Sequence, residues 1–120
     1  MPELGLCIQV GDVCKSLDRI LISSGQTGWA FLTPCNPGSK VLTPQENEIR
    51  IRSFIPEILK YNYWKGFGED PEGKWTPESS FLIVGISLQD ALDLAKRYGQ
   101  FAFLYGRYQG PASLVWTGLL

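Results

Sequence analysis

The residues of this chain best suited to chemistry are Asn36, Ser39, Asn47, Arg50, Glu78 and Gln100. Asn36 and Ser39 lie in the loop Thr33-Pro34-Cys35-Asn36-Pro37-Gly38-Ser39-Lys40, between the apolar run Trp29–Leu32 and a well-capped helix start at Thr43. Loops that leave a buried strand and enter a helix are where α/β domains gather ligand sites, because backbone N–H groups and polar side chains converge there. Asn47 shares a helical face with Ile51, Phe54 and Ile58, and an amide on a buried face must be hydrogen-bonded. It therefore either ties down the loop through Asn36 and Ser39 or faces a ligand. Arg50 borders the same face, where it can hold an anion near the loop or pair with Glu46. The pattern locates a site and leaves its reaction open.

Other residue types narrow the chemistry. The sequence has no histidine. This removes Ser–His and Cys–His dyads, His-ligated zinc or iron, and imidazole proton shuttles. Cys7, Cys14 and Cys35 are odd in number, lack C-x-x-C spacing and cannot complete a tetrahedral thiolate site, so reduced thiols, no metal and no cofactor are expected. Cys35 has no accompanying base, and no catalytic residue is assigned. Glu46 and Glu78 would make a glycosidase-like carboxylate pair if the fold joined them, but Glu46 already serves as a helix cap. Glu69, Asp70 and Glu72 lack calcium-loop spacing and read as a solvated turn, and Gly66-Phe67-Gly68 lacks the following helix of a phosphate-cradling loop. Tyr63, Trp64 and Trp75 read as core or as the wall of a pocket.

The elements that must position these side chains follow from periodicity. Leu6, Ile8 and Val10 alternate as a half-buried strand, and Asp12 is the expected N-cap of a helix whose face is Val13, Leu17, Ile20 and Leu21, ending near Gly25. Trp29–Leu32, apolar on both faces, predicts an interior strand. Thr43-Pro44-Gln45-Glu46 has capping-box spacing with proline at the first helical position, and Ile51, Phe54, Ile55 and Ile58 form that helix's buried stripe. Glu46–Arg50 and Glu48–Arg52 have i,i+4 spacing, and Pro56 should weaken the last turns. Strands are predicted over Tyr61–Phe67 and Phe81–Ile86, with a turn-rich segment, Gly68–Lys74, between them. A helix runs from Ser87 to Gly99, and two further strands, Phe101–Tyr105 and Leu114–Trp116, flank the turn at Gln109-Gly110-Pro111. The expectation is an α+β fold, a single domain over 1–120: one mixed sheet with about three helices packed on it, in the order β-α-β-α-β-β-α-β-β.

Composition agrees. Hydrophobic residues make up 44% and charged residues 19%, enough for a real core, and a net charge of -1 gives no reason to expect non-specific nucleic-acid binding. No apolar run approaches a membrane span, and no basic region followed by an apolar core opens the chain, so no membrane partner and a cytoplasmic location are expected.

Several blocks resemble the small bacterial family named domain of unknown function 3293 (DUF3293). A pattern like A-F-x-T-x-x-N-P-x-S corresponds to Ala30–Ser39, and L-[ST]-x-x-[EQ]-N to Leu42–Asn47. G-x-W-x-x-E-x-S corresponds to Gly73–Ser80, and F/Y-G-Q-x-A to Tyr98–Ala102. In similar proteins an aromatic residue commonly stands at the place of Cys35, and an extra N-terminal segment precedes the first strand. The resemblance implies a shared fold and polar cluster and supplies no activity.

These readings support a non-catalytic binding or regulatory domain that recognises a small polar ligand or a peptide through Asn36, Ser39, Asn47, Arg50, Glu78 and Gln100. One alternative is a hydrolase or transferase with Glu78 as base and Arg50 stabilising an anion. Another is a protein-interaction module, with a possible homodimer formed through a sheet edge or an aromatic patch.

Overall fold

A computed structural model describes residues 7–68 and 78–119, Ser39 by its backbone alone. Its elements are α1 (Lys15–Ser24), β1 (Gly28–Leu32), α2 (Pro44–Ile58), β2 (Asn62–Gly68), β3 (Glu78–Val84), α3 (Leu88–Arg97), β4 (Ala102–Arg107) and β5 (Ser113–Trp116), with one 3-10 turn at Pro37–Ser39. The five strands form one sheet in the order β2-β3-β1-β4-β5, and every neighbouring pair is antiparallel. This is the α+β architecture with the helices and strands in the expected order. Among the described residues the leading strand is represented by a single bridge between Val10 and Ala112. That bridge is parallel but isolated, outside the five strands, so the sheet itself is antiparallel where a mixed one was expected; Leu6 lies outside the described residues.

β1 is the centre of the sheet because both of its faces are apolar. Trp29 and Phe31 pack with Leu17, Leu21, Leu82 and Val84 beneath α1. Ala30 and Leu32 pack on the other face with Phe54, Ile58, Phe81 and Ile83 beneath α2 and α3. Tyr63 and Trp64 join these two cores from β2, so both act as packing residues, while Trp75 and the acidic turn at 69–74 lie outside the described residues.

The first helix corrects its sequence reading. It begins at Lys15 with Cys14 as N-cap and no side-chain cap bond, rather than at Asp12. Asp12 instead accepts from the Ala112 N–H through its carbonyl (3.0 Å), and Gly11 donates to the Ala112 carbonyl (2.7 Å). Pairing beside Ala112 keeps the backbone out of the helix for two more residues, which leaves Val13 47% exposed instead of buried. Leu17 and Leu21 are buried as the spacing requires. At α2 the capping box is complete: the Glu46 N–H donates to Thr43 Oγ1 (3.1 Å) and the Thr43 N–H to Glu46 Oε1 (3.0 Å). The helix continues past Pro56 to Ile58, held by its buried stripe.

Candidate functional site

The strand β1 delivers the chain into a loop that turns back onto α2, and Asn36 is the pivot of that turn. Its backbone is left-handed (φ 49°, ψ 62°), a conformation that asparagine tolerates better than other side-chain-bearing residues. Four hydrogen bonds hold it there. The Asn36 N–H donates to Asn47 Oδ1 (3.1 Å), and Asn47 Nδ2 donates back to Asn36 Oδ1 (2.9 Å). Asn36 Oδ1 also accepts from the Leu42 N–H (2.9 Å), closing the loop on itself. Asn36 Nδ2 donates to Glu78 Oε2 at the start of β3 (2.9 Å). Asn47 thus locks the loop onto α2, the structural role that its helical face allowed.

A second group grips the two residues before Asn36. Arg50 Nε donates to the Pro34 carbonyl (2.6 Å), its Nη2 donates to the Tyr98 carbonyl, and its guanidinium carbon lies 5.5 Å from the Tyr98 ring centroid. Gln100 is buried and donates through Nε2 to the Cys35 carbonyl (2.7 Å) and the Tyr98 carbonyl (3.2 Å). The Tyr98 carbonyl is therefore shared by Arg50 and Gln100. The expected Glu46–Arg50 pair does not form, because Arg50 turns inward to carbonyls while Glu46 is engaged by Thr43; Glu48 and Arg52 do pair, at 3.2 Å. No hydrogen bond joins Glu46 to Glu78 among the described residues, and Glu46 lies on the exposed start of α2.

The structure thus brings Asn36, Asn47 and Glu78 into one hydrogen-bonded chain, with Arg50 and Gln100 linked through Tyr98 beside it. Ser39 belongs to the 3-10 turn of the same loop, and its side chain lies outside the described residues. Cys35 is buried at 3% exposure, and burial pushes its thiol above the ordinary value of 9.0. The neighbouring Thr33 hydroxyl opposes that rise, Glu78 adds to it, and Arg50 and Lys65 oppose it, while the thiol itself is placed to donate to the Ser79 carbonyl (3.7 Å). A protonated, enclosed thiol is a poor nucleophile.

Sequence reasoning missed several supports. Thr33 Oγ1 donates to the Ser79 carbonyl (2.7 Å) and accepts from the Cys35 N–H (3.0 Å), so it clamps the loop's first turn to β3. Gly38 donates to the Gly99 carbonyl (2.7 Å). At Gly99 (φ 69°) a Cβ would stand 2.8 Å from the Pro37 Cβ, so glycine is needed for the close approach of α3's end to the loop. Thr117 Oγ1 donates to the Gln100 carbonyl (2.6 Å). Thr33 and Gly99 belong to the quoted family blocks and were findable there; Thr117 has no local signal.

Among the described residues every buried side-chain polar atom has a partner, and no three Cys, Asp or Glu side chains gather to hold a metal ion. An open cleft of about 210 Å³ lies at the other end of α2, lined by Glu57, Lys60, Tyr61, Asp90, Asp93 and Arg97 among others. Glu57 and Arg97 pair across it at 2.7 Å.

Residues 32–103 match the family model described as "Protein of unknown function (DUF3293)". Asn36, Asn47, Arg50, Glu78 and Gln100 all fall within the matched span, and β5 falls beyond it. No curated protein and no solved structure matches.

Proposed function

The chain belongs to the DUF3293 family, proteins of unknown function, and from that footing we propose that it is a non-catalytic binding module for a small polar ligand. In this reading Asn47, Arg50 and Gln100 are positioning residues that hold the Asn36–Ser39 loop in shape. Asn36 and Glu78 form the recognition edge. The observation that carries it is the left-handed Asn36, fixed from both sides by Asn47 and Glu78. An unusual backbone conformation that its surroundings over-determine is characteristic of ligand clamps. Glu78 offers carboxylate acceptors, so the ligand it suits carries N–H donors: an amine, an amide or a guanidinium.

A hydrolase or transferase reading is less well supported. It needs Arg50 free to stabilise a developing anion, and Arg50 directs two donors at the Pro34 and Tyr98 carbonyls.

A thermal-shift screen against amino acids, nucleotides and sugar phosphates tests the proposal. Amino-bearing compounds should give a saturable rise in melting temperature that Glu78→Gln abolishes. That variant keeps an oxygen able to accept from Asn36, so the fold should survive while the charge is lost. No shift from any class, or a shift that Glu78→Gln leaves intact, would overturn the binding site.

A further inference from the structure

The cleft at the C-terminal end of α2 holds charges of both signs that the fold keeps apart. It encloses about 210 Å³ between the end of α2 and one face of α3. From α3 come Asp90, Asp93 and Arg97, which the helical period sets on a common face. Glu57 in the last turn of α2, with Lys60 and Tyr61 just beyond it, forms the opposite wall. Both helices pack on the same side of the sheet through Phe54, Ile58, Ala91 and Leu94, so the spacing between the two walls is set by the core.

One ion pair crosses the cleft, Arg97 with Glu57 at 2.7 Å, and it accounts for one charge of each sign. Lys60 then remains on one wall, with Asp90 and Asp93 on the other. Among the described residues these three make no ion pair within 4.0 Å. Lys60 instead rests its ammonium 5.3 Å from the centroid of the Tyr61 ring. Asp93 accepts from Gln89 Nε2 on its own helix (2.9 Å), and Asp90 engages Ser87 through its backbone N–H (3.1 Å). Opposite charges thus line one cleft without closing it.

We propose that this cleft binds a small zwitterion, an α-amino acid, with its ammonium on Asp90 and Asp93 and its carboxylate on Lys60. A ligand of one sign would be attracted by one wall and repelled by the other, whereas a zwitterion makes a charge-assisted hydrogen bond to each. The volume is below the about 300–1,000 Å³ of pockets that enclose drug-sized ligands, which suits a single amino acid. The aliphatic lining residues, Ile86 and Leu94, are buried, so recognition rests on the charges and a short or polar side chain fits best. A metal ion is a poorer occupant, because no three Cys, Asp or Glu side chains gather to hold one among the described residues. This site lies at the opposite end of α2 from the Asn36 loop and does not depend on the binding proposal made there.

Amide NMR of the labelled chain, titrated with each of the common α-amino acids, tests the proposal. Exposed ion pairs are weak, so the titrations should reach roughly 20 mM. At least one amino acid should give saturable shifts at Tyr61, Asp90 and Asp93. Its amide, which lacks the carboxylate, and its N-acetyl derivative, which lacks the ammonium, should each bind about tenfold more weakly or worse. Lys60→Gln, and Asp90→Asn combined with Asp93→Asn, change exposed positions and should weaken binding to a similar extent, whereas Glu78→Gln should leave it unchanged. Absence of shifts at those amides with every amino acid would overturn the proposal, as would undiminished binding of either blocked derivative. Shifts that vanish with Glu78→Gln and survive Lys60→Gln would place the ligand at the Asn36 loop and be equally fatal. Should a variant fail to fold by circular dichroism, the blocked derivatives decide on the parent chain.

Discussion

The junction between β1 and α2 and the edge at β5 dispose of polar groups in opposite ways. At the junction, the polar side chains point inward and satisfy one another and the loop's own backbone. At the edge, backbone donors and acceptors point outward beside apolar side chains that nothing covers among the described residues. The contrast teaches that polarity in a sequence is a poor guide to what meets solvent. The loop is braced from within through Asn36, and the neutral Ser-Leu-Val-Trp strand carries exposed apolar side chains. It also predicts that substitutions at the junction should cost stability, and those at the edge should leave it nearly unchanged.

The largest effect should come from breaking the junction at Arg50. Arg50→Ala leaves two carbonyls without their charged donor, and bonds to charged groups contribute about 1.5–3 kcal/mol each, so a loss of about 3 kcal/mol in urea unfolding is expected. Arg50→Lys should recover little, because one ammonium cannot serve the Pro34 and Tyr98 carbonyls in the arginine's fixed geometry. A near-normal Arg50→Lys would break the argument for a bidentate brace.

Next in size is Asn47→Ala, expected to cost about 1–3 kcal/mol because the Asn36 N–H loses its acceptor. Asn47→Leu should keep the packing of α2 and still lose the loop geometry, visible as faster amide exchange at Asn36 and Leu42.

These effects show why part of the site was legible in the sequence. Asn47 was findable because a helix has a period, and Phe54 and Ile58 fix which side faces the core. The capping box at Thr43 fixed where the helix begins, and so where Asn47 and Arg50 stand. The interior position of β1 followed from apolar residues on both of its faces. By contrast, the Gln100–Cys35 bond joins residues 65 apart, and the Asn36–Glu78 bond joins residues 42 apart. Those contacts exist because β3 lies beside β1 and α3 crosses behind it, and no local pattern encodes strand order. The start of α1 was misplaced for the same reason: Asp12 is a good cap in isolation, but Ala112, distant in sequence, takes its backbone.

A smaller effect should appear at alkaline pH. Burial holds the Cys35 thiol protonated in the folded protein, with its pKa above the ordinary 9.0. The folded state therefore binds this proton more tightly than the unfolded chain. The resulting stability is complete below that ordinary value and is lost as pH rises through the folded value. Tyr98 and Tyr105 are raised from 10.0, chiefly by burial, and act in the same sense at higher pH. Cys35→Ala should move the onset of alkaline weakening upward, toward the range where the tyrosines take over. An unchanged onset would sharpen the contrast the other way, by showing that the junction is wetter than its packing implies.

The smallest effect on stability should be at the edge. Trp116→Lys, measured where the chain is dilute, should change unfolding free energy by less than about 0.5 kcal/mol, as exposed substitutions usually do. A large loss would mean that Trp116 supports the monomer and that the two regions are not opposites.

The central claim is that the polar residues between β1 and α2 act first on one another. A double-mutant cycle of Asn36→Ala and Asn47→Ala, read by equilibrium urea unfolding, tests it most directly. Paired side chains should be coupled by about 0.5–3 kcal/mol, so that the second substitution costs much less once the first is made. Losses that add to within about 0.3 kcal/mol, as they do for independent sites, would contradict the account.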